Sequence, residues 1–157
     1  MADMLQLDVG ITAEYTMKDM FFIFEIDEED YGVEVANVKE IVSMTEHRIT
    51  KVPKLPGFIE GIINLRGDLI GVLDVRKRFG KMPREYDEAT CIVVIVYNGY
   101  QLGLIVDGVK ATQTIPSENV APPPSAKLNS YNQFIRNIGK TADGVKLLMD
   151  LDRFLEQ

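Results

Sequence analysis

Short apolar runs of strand length alternate with polar turns along most of the chain. Residues 20–26 (MFFIFEI) form a continuous apolar and aromatic run, which is typical of a buried strand. An acidic turn follows at 27–30, and the β pattern resumes at 31–35 (YGVEV). These two runs therefore predict a β-hairpin, and the stretch at 35–42 predicts a short helical turn that leads into a further strand.

The same strand character recurs in the rest of the chain, with turn signals between the runs. The predicted strands lie at 58–66, 68–73, 90–97, 100–115, 132–141 and 144–151. Asn98-Gly99 is the strongest short-range hairpin signal in the sequence, so it predicts a tight turn between two of these strands.

Helices are predicted to be few and short. Asp74 is suited to cap a helix at 75–79, and residues 151–157 place apolar side chains on one face of a terminal helix. Residues 45–57 are rich in loop signals, and 116–130 form a linker around three consecutive prolines.

The chain also repeats itself. One constant displacement along the sequence, the first shift, aligns Gly32 with Gly103, Val35 with Val106, Val38 with Val109 and Lys39 with Lys110. A slightly longer displacement, the second shift, aligns Phe58-Ile59 with Phe134-Ile135, Ile62 with Ile138 and Asp74 with Asp150. The proline-rich linker absorbs the difference between the two shifts, since loops tolerate insertions. Each half thus has the same order of short strands, which predicts two small β-barrels.

The stretch at 58–67 (FIEGIINLRG) ends in an arginine although its apolar residues predict a buried strand. Under the second shift Arg66 corresponds to Ala142, whereas the apolar positions repeat. The strand architecture therefore does not require Arg66, and we predict that Arg66→Ala keeps the fold. A pairing between Arg66 and Glu40 is a further hypothesis of the sequence.

Composition limits the partners that the protein can have. The chain has 157 residues and a net charge of −7, with 46% hydrophobic and 26% charged residues. The acidic balance argues against nucleic-acid binding, and the absence of a long apolar run argues against membrane insertion. Cys91 is the only cysteine, and the first residues lack a signal-peptide pattern. Together these features predict a cytoplasmic protein in a reducing compartment.

No group of residues in the sequence has the pattern of a catalytic or metal-binding centre. His47 is the only histidine and lies in a charged loop, while Cys91 lies in an apolar strand without a nearby base. The two glycine-rich patterns that bind phosphates, G-x-G-x-x-G and G-x-x-x-x-G-K-S/T, do not occur. Asp74 and Asp150 hold equivalent places in the repeat, which indicates helix caps. The sequence therefore predicts no enzyme, no metal and no cofactor.

Two surface features are not explained by the fold. Basic residues cluster at 76–84: Arg76, Lys77, Arg78, Lys81 and Arg84. A solvated helix face explains them most simply, and a docking surface for an acidic partner is the alternative. The short strands also carry more apolar residues than two small barrels can bury, so some exposed apolar patches are expected to be interfaces.

Four stretches together resemble a known family: residues 21–41, 49–80, 91–110 and 144–155. Through them the chain is similar to the bacterial chemotaxis coupling protein family, CheW, from about residue 20 to residue 155. The INLRG stretch at 63–67 is highly specific for this family, whereas Gly71 departs from it, because the family often has a proline there.

The resemblance implies a fold and a division of the chain. The expected fold is mostly all-β: two intertwined SH3-like five-stranded β-barrel lobes with short connecting helices and a C-terminal helix. Residues 19–157 would form this CheW-like domain of two duplicated lobes, and residues 1–18 would be a flexible N-terminal arm.

The resemblance also implies partners and contact residues. Members of the family join the cytoplasmic tips of methyl-accepting chemotaxis receptors to the regulatory domain of the histidine kinase CheA, at receptor arrays on the inner face of the membrane. Glu40 and Ile41 match the family's kinase-contact positions. Positions linked to receptor binding are matched by Val38, Gly61, Arg66 and Val109. A receptor helix tip is expected to lie in a groove between the lobes.

Other functions remain open at this stage. The chain could instead be the coupling protein of a sister chemosensory pathway, such as one that drives type IV pilus motility. It could also be a fragment, either the regulatory domain of a CheA-like kinase or the coupling part of a CheV-like protein. A barrel enzyme is a different class, which the lack of a catalytic set disfavours.

Overall fold

The structure, a computed structural model, describes residues 17–55, 57–124 and 132–156. Within them the chain forms eleven strands and two short α-helices. The strands are β1 (Met20–Ile26), β2 (Glu29–Glu34), β3 (Val38–Ser43), β4 (Ile59–Leu65), β5 (Asp68–Asp74), β6 (Cys91–Tyr97), β7 (Tyr100–Val106), β8 (Gly108–Thr114), β9 (Val120–Ala121), β10 (Ile135–Thr141) and β11 (Gly144–Met149). The helices are α1 (Val75–Arg78) and α2 (Leu151–Phe154).

These elements confirm the predicted order of hairpins and caps, with local differences. The predicted linker at 116–130 begins with a 3₁₀ turn and with β9, because Val120 and Ala121 pair with β10. The remainder of the linker from 125 onward, and residues 1–16 of the expected arm, lie outside the described residues.

The strands form two sheets, which we call lobe I and lobe II. Lobe I has the strand order β3-β6-β7-β5-β4, and lobe II has the order β8-β1-β2-β11-β10-β9. Neither lobe coincides with one half of the chain. Lobe I combines β3, β4 and β5 of the first half with the hairpin β6-β7, which opens the second half. Lobe II combines β8, β9, β10 and β11 of the second half with the hairpin β1-β2, which opens the first half. The sequence repeat predicted two barrels correctly, and the expected intertwining of the lobes is confirmed as an exchange of hairpins.

The repeat is visible in the bounds of the elements. The first shift carries β1 onto β6 at both ends, and the second shift carries β4 onto β10 and α1 onto α2. The bridge between Thr50 and Ile62 in lobe I corresponds to the pairing of Ala121 with Ile138 in lobe II. The additional residues of the second half therefore lie after position 121.

A parallel strand pair joins the two halves within each lobe, β5 with β7 in lobe I and β2 with β11 in lobe II. Equivalent glycines, Gly103 and Gly32, lie in these pairs. A Cβ atom on Gly103 would come 2.8 Å from Val72 Cγ1, and one on Gly32 would come 2.9 Å from Leu148 Cδ2. A side chain at Gly103 would therefore displace β-branched neighbours, and a side chain at Gly32 would require the end of the Leu148 side chain to move.

The largest hydrophobic cluster takes side chains from both lobes, so the core lies largely between them. Phe22 and Phe24 of lobe II pack in it together with Val93 and Ile95 of lobe I, which are their counterparts in the repeat. Phe79, just after α1, contacts the rings of Phe134 and Phe154. A second cluster fills the interior of lobe I alone.

The interior of lobe II is more polar. Ile70, buried inside lobe I, corresponds to Lys146, whose side chain is only 1% exposed and whose Nζ lies 2.6 Å from Asp30 Oδ2. Desolvation alone would lower the pKa of Lys146, but hydrogen bonds to Asp30 and Asp143 outweigh it and raise that pKa.

None of the helices that the structure describes has the length and apolar character of a membrane span.

The parallel junctions generate a testable prediction. Gly103→Ala should lower the free energy of unfolding by about 1–3 kcal/mol, because the added methyl group has no room beside Ile92 and Val72. Urea denaturation of the full chain measures this change. Gly71→Ala in β5 is the matched control: its Cβ would lie 3.6 Å from Leu102, so the change should stay within about 0.5 kcal/mol. Equal losses in the two variants would contradict the role assigned to Gly103.

Candidate functional site

Arg66 lies in a turn and not in a strand, which corrects the predicted strand at 58–66. β4 ends at Leu65, and Arg66 and Gly67 form a two-residue hairpin turn with φ angles of 52° and 92°. The amide of Gly67 donates a hydrogen bond to Asn64 Oδ1 at 2.8 Å, which supports the turn. The turn directs the arginine away from the interior, and its side chain is 68% exposed.

The guanidinium of Arg66 pairs with the carboxylate of Glu40, as the sequence suggested. The hydrogen bond from Arg66 lowers the pKa of Glu40. Glu40 lies on β3 and Arg66 follows β4, and these strands are the two edges of the lobe I sheet. Reciprocal backbone hydrogen bonds of 2.8 Å join Thr50, in the segment after β3, to Ile62 on β4. The ion pair therefore lies on the seam where lobe I closes.

Lobe II closes without such a pair. The positions that correspond to Glu40 and Arg66 are Ala111 and Ala142, so the repeat carries alanine for both partners. In lobe II, Gln113 on β8 donates to the Asp143 carboxylate at 3.2 Å instead. The ion pair of lobe I is therefore a feature of one lobe and is not needed for closure of this fold. The sequence analysis identified the change from Arg66 to Ala142, but not the accompanying change from Glu40 to Ala111.

Ile41 presents an apolar side chain next to this pair in sequence. It pairs with Val93 in the sheet, yet it is 38% exposed, whereas its neighbour Val42 packs against the interior of lobe I. The alternation of the strand explains this difference. Glu40 and Ile41 thus put a paired carboxylate and an open apolar side chain on one edge strand.

Gly61 lies within β4 and is buried, so it presents no surface to a partner. A Cβ atom there would come 2.5 Å from the carbonyl oxygen of Thr50 and 2.6 Å from Ile49 Cγ2. Gly61 therefore allows the segment after β3 to approach β4 at the closing seam. Any effect of this position on a partner would act through that segment.

Val38 and Val109 occupy equivalent places in different lobes. Each is half-buried against the core shared by the lobes, with Val38 paired to Ile95 and Val109 paired to Phe24. A cleft of about 140 Å³ lies between the lobes, next to the turn that precedes Val38. Its lining residues are Glu34, Asn37, Tyr97, Arg136, Met149, Leu151 and Asp152.

The basic residues at 76–84 are largely paired with groups of the same chain. Arg76 is buried, and its Nη1 donates to Asp107 Oδ2 at 2.8 Å and also to the Asp27 carboxylate. Lys77 pairs with Glu60 at 2.6 Å, and Arg84 lies 3.3 Å from Asp107. These contacts oppose the interpretation of a free basic docking surface.

Arg76 also anchors the segment after α1. Its Nε donates to the carbonyl of Met82 at 3.0 Å, and Tyr86 donates to Asp74 at 2.9 Å. Asp74 caps α1 as predicted, because its carboxylate accepts from the amides of Arg76 and Lys77. Burial beside Asp74 raises the pKa of Tyr86. Because Arg76 also binds the Asp27 carboxylate, these contacts hold the segment after α1 next to the lobe II turn that contains Asp27.

Groups suited to catalysis do not converge in the described part of the chain. No cluster of three or more histidine, cysteine, aspartate or glutamate side chains there could hold a metal ion. Burial raises the pKa of the Cys91 thiol, which is the opposite of what an activated nucleophile requires.

A protein-family model described as "CheW-like domain" matches residues 20–157. The chain belongs to this family. The match covers every strand of both lobes. The chain is a scaffold adaptor of chemotaxis.

Individual CheW proteins show the same relationship. The chemotaxis protein CheW of Klebsiella aerogenes is 28% identical over 147 residues, which cover 94% of this chain and 87% of that protein. The chemotaxis protein CheW of Bacillus subtilis is 27% identical, with 94% and 93% covered. The crystal structure of the scaffolding protein TtCheW from Thermoanaerobacter tengcongensis superposes with a TM-score of 0.78 at 36% identity, covering 88% of this chain and 93% of that one.

The Arg76 contacts generate a second prediction. Arg76→Met should lower the free energy of unfolding by about 3 kcal/mol, because it leaves the buried Asp107 carboxylate without its strongest partner. Thermal or urea denaturation measures the loss. Arg84→Met removes a longer and more exposed contact to the same carboxylate, so it should cost no more than about 1 kcal/mol. If Arg76→Met is as stable as the natural chain, the contact between Arg76 and Asp107 does not stabilise the fold.

Proposed function

We propose that this CheW-family protein couples chemoreceptors to the histidine kinase CheA. In this proposal one surface binds the regulatory domain of the kinase and another binds the cytoplasmic tip of a methyl-accepting receptor. A coupling protein changes kinase output only when its contacts differ between signalling states, so both surfaces must be engaged together. The protein acts as a non-catalytic scaffold.

The kinase surface is proposed to centre on Glu40 and Ile41. The observation that carries this proposal is the Glu40–Arg66 pair, which is present in lobe I and replaced by two alanines in lobe II. A contact that closure does not require suggests selection for a surface function. Ile41 supplies exposed apolar area on the same strand, as a docking edge needs.

The receptor surface is proposed to involve Val38, Gly61, Arg66 and Val109. Support comes from Val38 and Val109, which reach the shared core from opposite lobes at equivalent places. A receptor helix tip that lies along the junction would contact both lobes at once. Gly61 would contribute indirectly, through the segment that it allows to approach β4.

The proposal includes a location and a division of the chain. The protein would act in the cytoplasm, at receptor arrays on the inner face of the membrane. Residues 19–157 would form the functional domain and residues 1–18 a flexible arm, with 1–16 outside the described residues.

Direct binding tests the function. The full chain should bind both a purified CheA regulatory domain and a soluble receptor cytoplasmic fragment, measured separately by calorimetry. If the chain fails to bind one or both of these partners, the coupling proposal is wrong.

The ion pair allows a sharper test. Kinase binding should be weakened in Glu40→Ala, in Arg66→Ala and in the double variant. The double variant should bind the kinase domain with the same affinity as the weaker-binding single variant, because the pair acts as a unit. All three should unfold at nearly the same urea concentration as the natural chain, since lobe II closes with Ala111 and Ala142 at these places. Arg66→Ala adds no backbone strain, because arginine already takes the positive φ angle with a Cβ atom.

Arg153→Ala serves as the control for removal of an exposed arginine, on α2, and should leave kinase affinity unchanged. Additive losses from Glu40→Ala and Arg66→Ala would show that the two residues contact the partner independently. Unfolding of Arg66→Ala would show that the comparison with lobe II fails.

A further inference from the structure

Arg78 lies where the two lobes meet, at the end of α1. Its guanidinium carbon lies 4.7 Å from the ring centroid of Phe58 and 4.8 Å from that of Phe134. These two phenylalanines are equivalent in the repeat and directly precede β4 in lobe I and β10 in lobe II. One side chain therefore contacts the corresponding aromatic ring of each lobe, at distances suited to cation–π attraction.

The same guanidinium holds the end of α2. Its Nε donates to the carbonyl of Phe154 at 2.8 Å, and its Nη2 donates to the carbonyl of Glu156 at 2.5 Å. Carbonyls at a helix end have no partner within the helix, so a cation satisfies them well. Burial lowers the pKa of Arg78, yet an arginine stays charged in proteins.

Arginine is the only side chain suited to these contacts together. A guanidinium is planar, so it can stack against rings and donate several hydrogen bonds, whereas a lysine ammonium is a compact charge. The place of Arg78 in the other half of the repeat is held by Phe154, which excludes a second arginine of this kind.

Little else fills the outer part of this junction. Arg78 lines two clefts, one of about 400 Å³ that Gly57 and Phe58 also line, and one of about 430 Å³ that Gln133 and Phe134 also line. Deeper in the junction, Phe79 packs against the rings of lobe II independently of Arg78. Arg78 thus bridges the two lobes at the surface, outside the aromatic contacts that Phe79 makes in the core.

We propose that Arg78 is a positioning residue that fixes the angle between the lobes and thereby aligns the two-lobed receptor surface. This inference rests on the proposed function, in which Val38 and Val109 contribute from different lobes. Glu40 and Ile41 lie together on β3 of lobe I, so the geometry of the kinase surface does not depend on the angle.

A split between the two affinities tests the proposal. Arg78→Lys and Arg78→Gln in the full chain should weaken binding of a receptor cytoplasmic fragment about tenfold, and leave binding of the CheA regulatory domain within about twofold. Arg153→Lys, an exposed arginine on α2, is the matched control and should change neither affinity. Equal losses for both partners, or no loss for either, would overturn the proposal.

A second measurement does not depend on any partner. Residual dipolar couplings of the backbone amides report the relative orientation of the lobes in solution. Arg78→Lys should change that orientation while each lobe keeps its own internal couplings; an unchanged orientation would overturn the positioning role. If the natural chain binds neither partner but the orientation still shifts, the function of coupling fails and the role of Arg78 in lobe geometry stands.

Discussion

The architecture depends on strand pairing between the two halves of the chain, through a parallel pair in each lobe and the antiparallel pairs β3–β6 and β1–β8. Each parallel pair contains a glycine, Gly103 in lobe I and Gly32 in lobe II, against which side chains of the neighbouring strands pack closely. Antiparallel hairpins form from local sequence, whereas these parallel contacts join segments far apart in the chain. The shared core, the closing seams and the junction at Arg78 all depend on both pairs being formed.

The duplicated framework makes the differences between the lobes informative. Positions that repeat, such as Phe58 and Phe134, serve the fold. Positions that differ have acquired one-sided contacts: Glu40 with Arg66 on the seam of lobe I, and Lys146 inside lobe II where lobe I has Ile70. A comparison of the lobes within one molecule therefore identifies contacts that the shared fold does not require, without any alignment of relatives.

The sequence alone predicted the strands, the Asp74 cap and the repeat, because apolar periodicity and turn residues act over short distances. It did not show which half supplies each strand, since the same pattern satisfies a barrel built from one half or from both. The sequence pattern grouped Arg76 with a surface patch, because its carboxylate partners are remote in the chain. It also placed Arg66 in a strand, because a positive φ angle is uncommon for a residue other than glycine.

The exchange of hairpins between the lobes has an evolutionary consequence. A chain of half this length, carrying one hairpin and the three strands that follow, would leave the hairpin without its sheet. Two such chains would complete both lobes by exchanging hairpins, as a homodimer with a true twofold axis. Fusion of the two copies makes that association independent of concentration and frees each copy to change alone. An ion pair or a bridging arginine on one side of the axis then becomes possible, which a symmetric dimer cannot have.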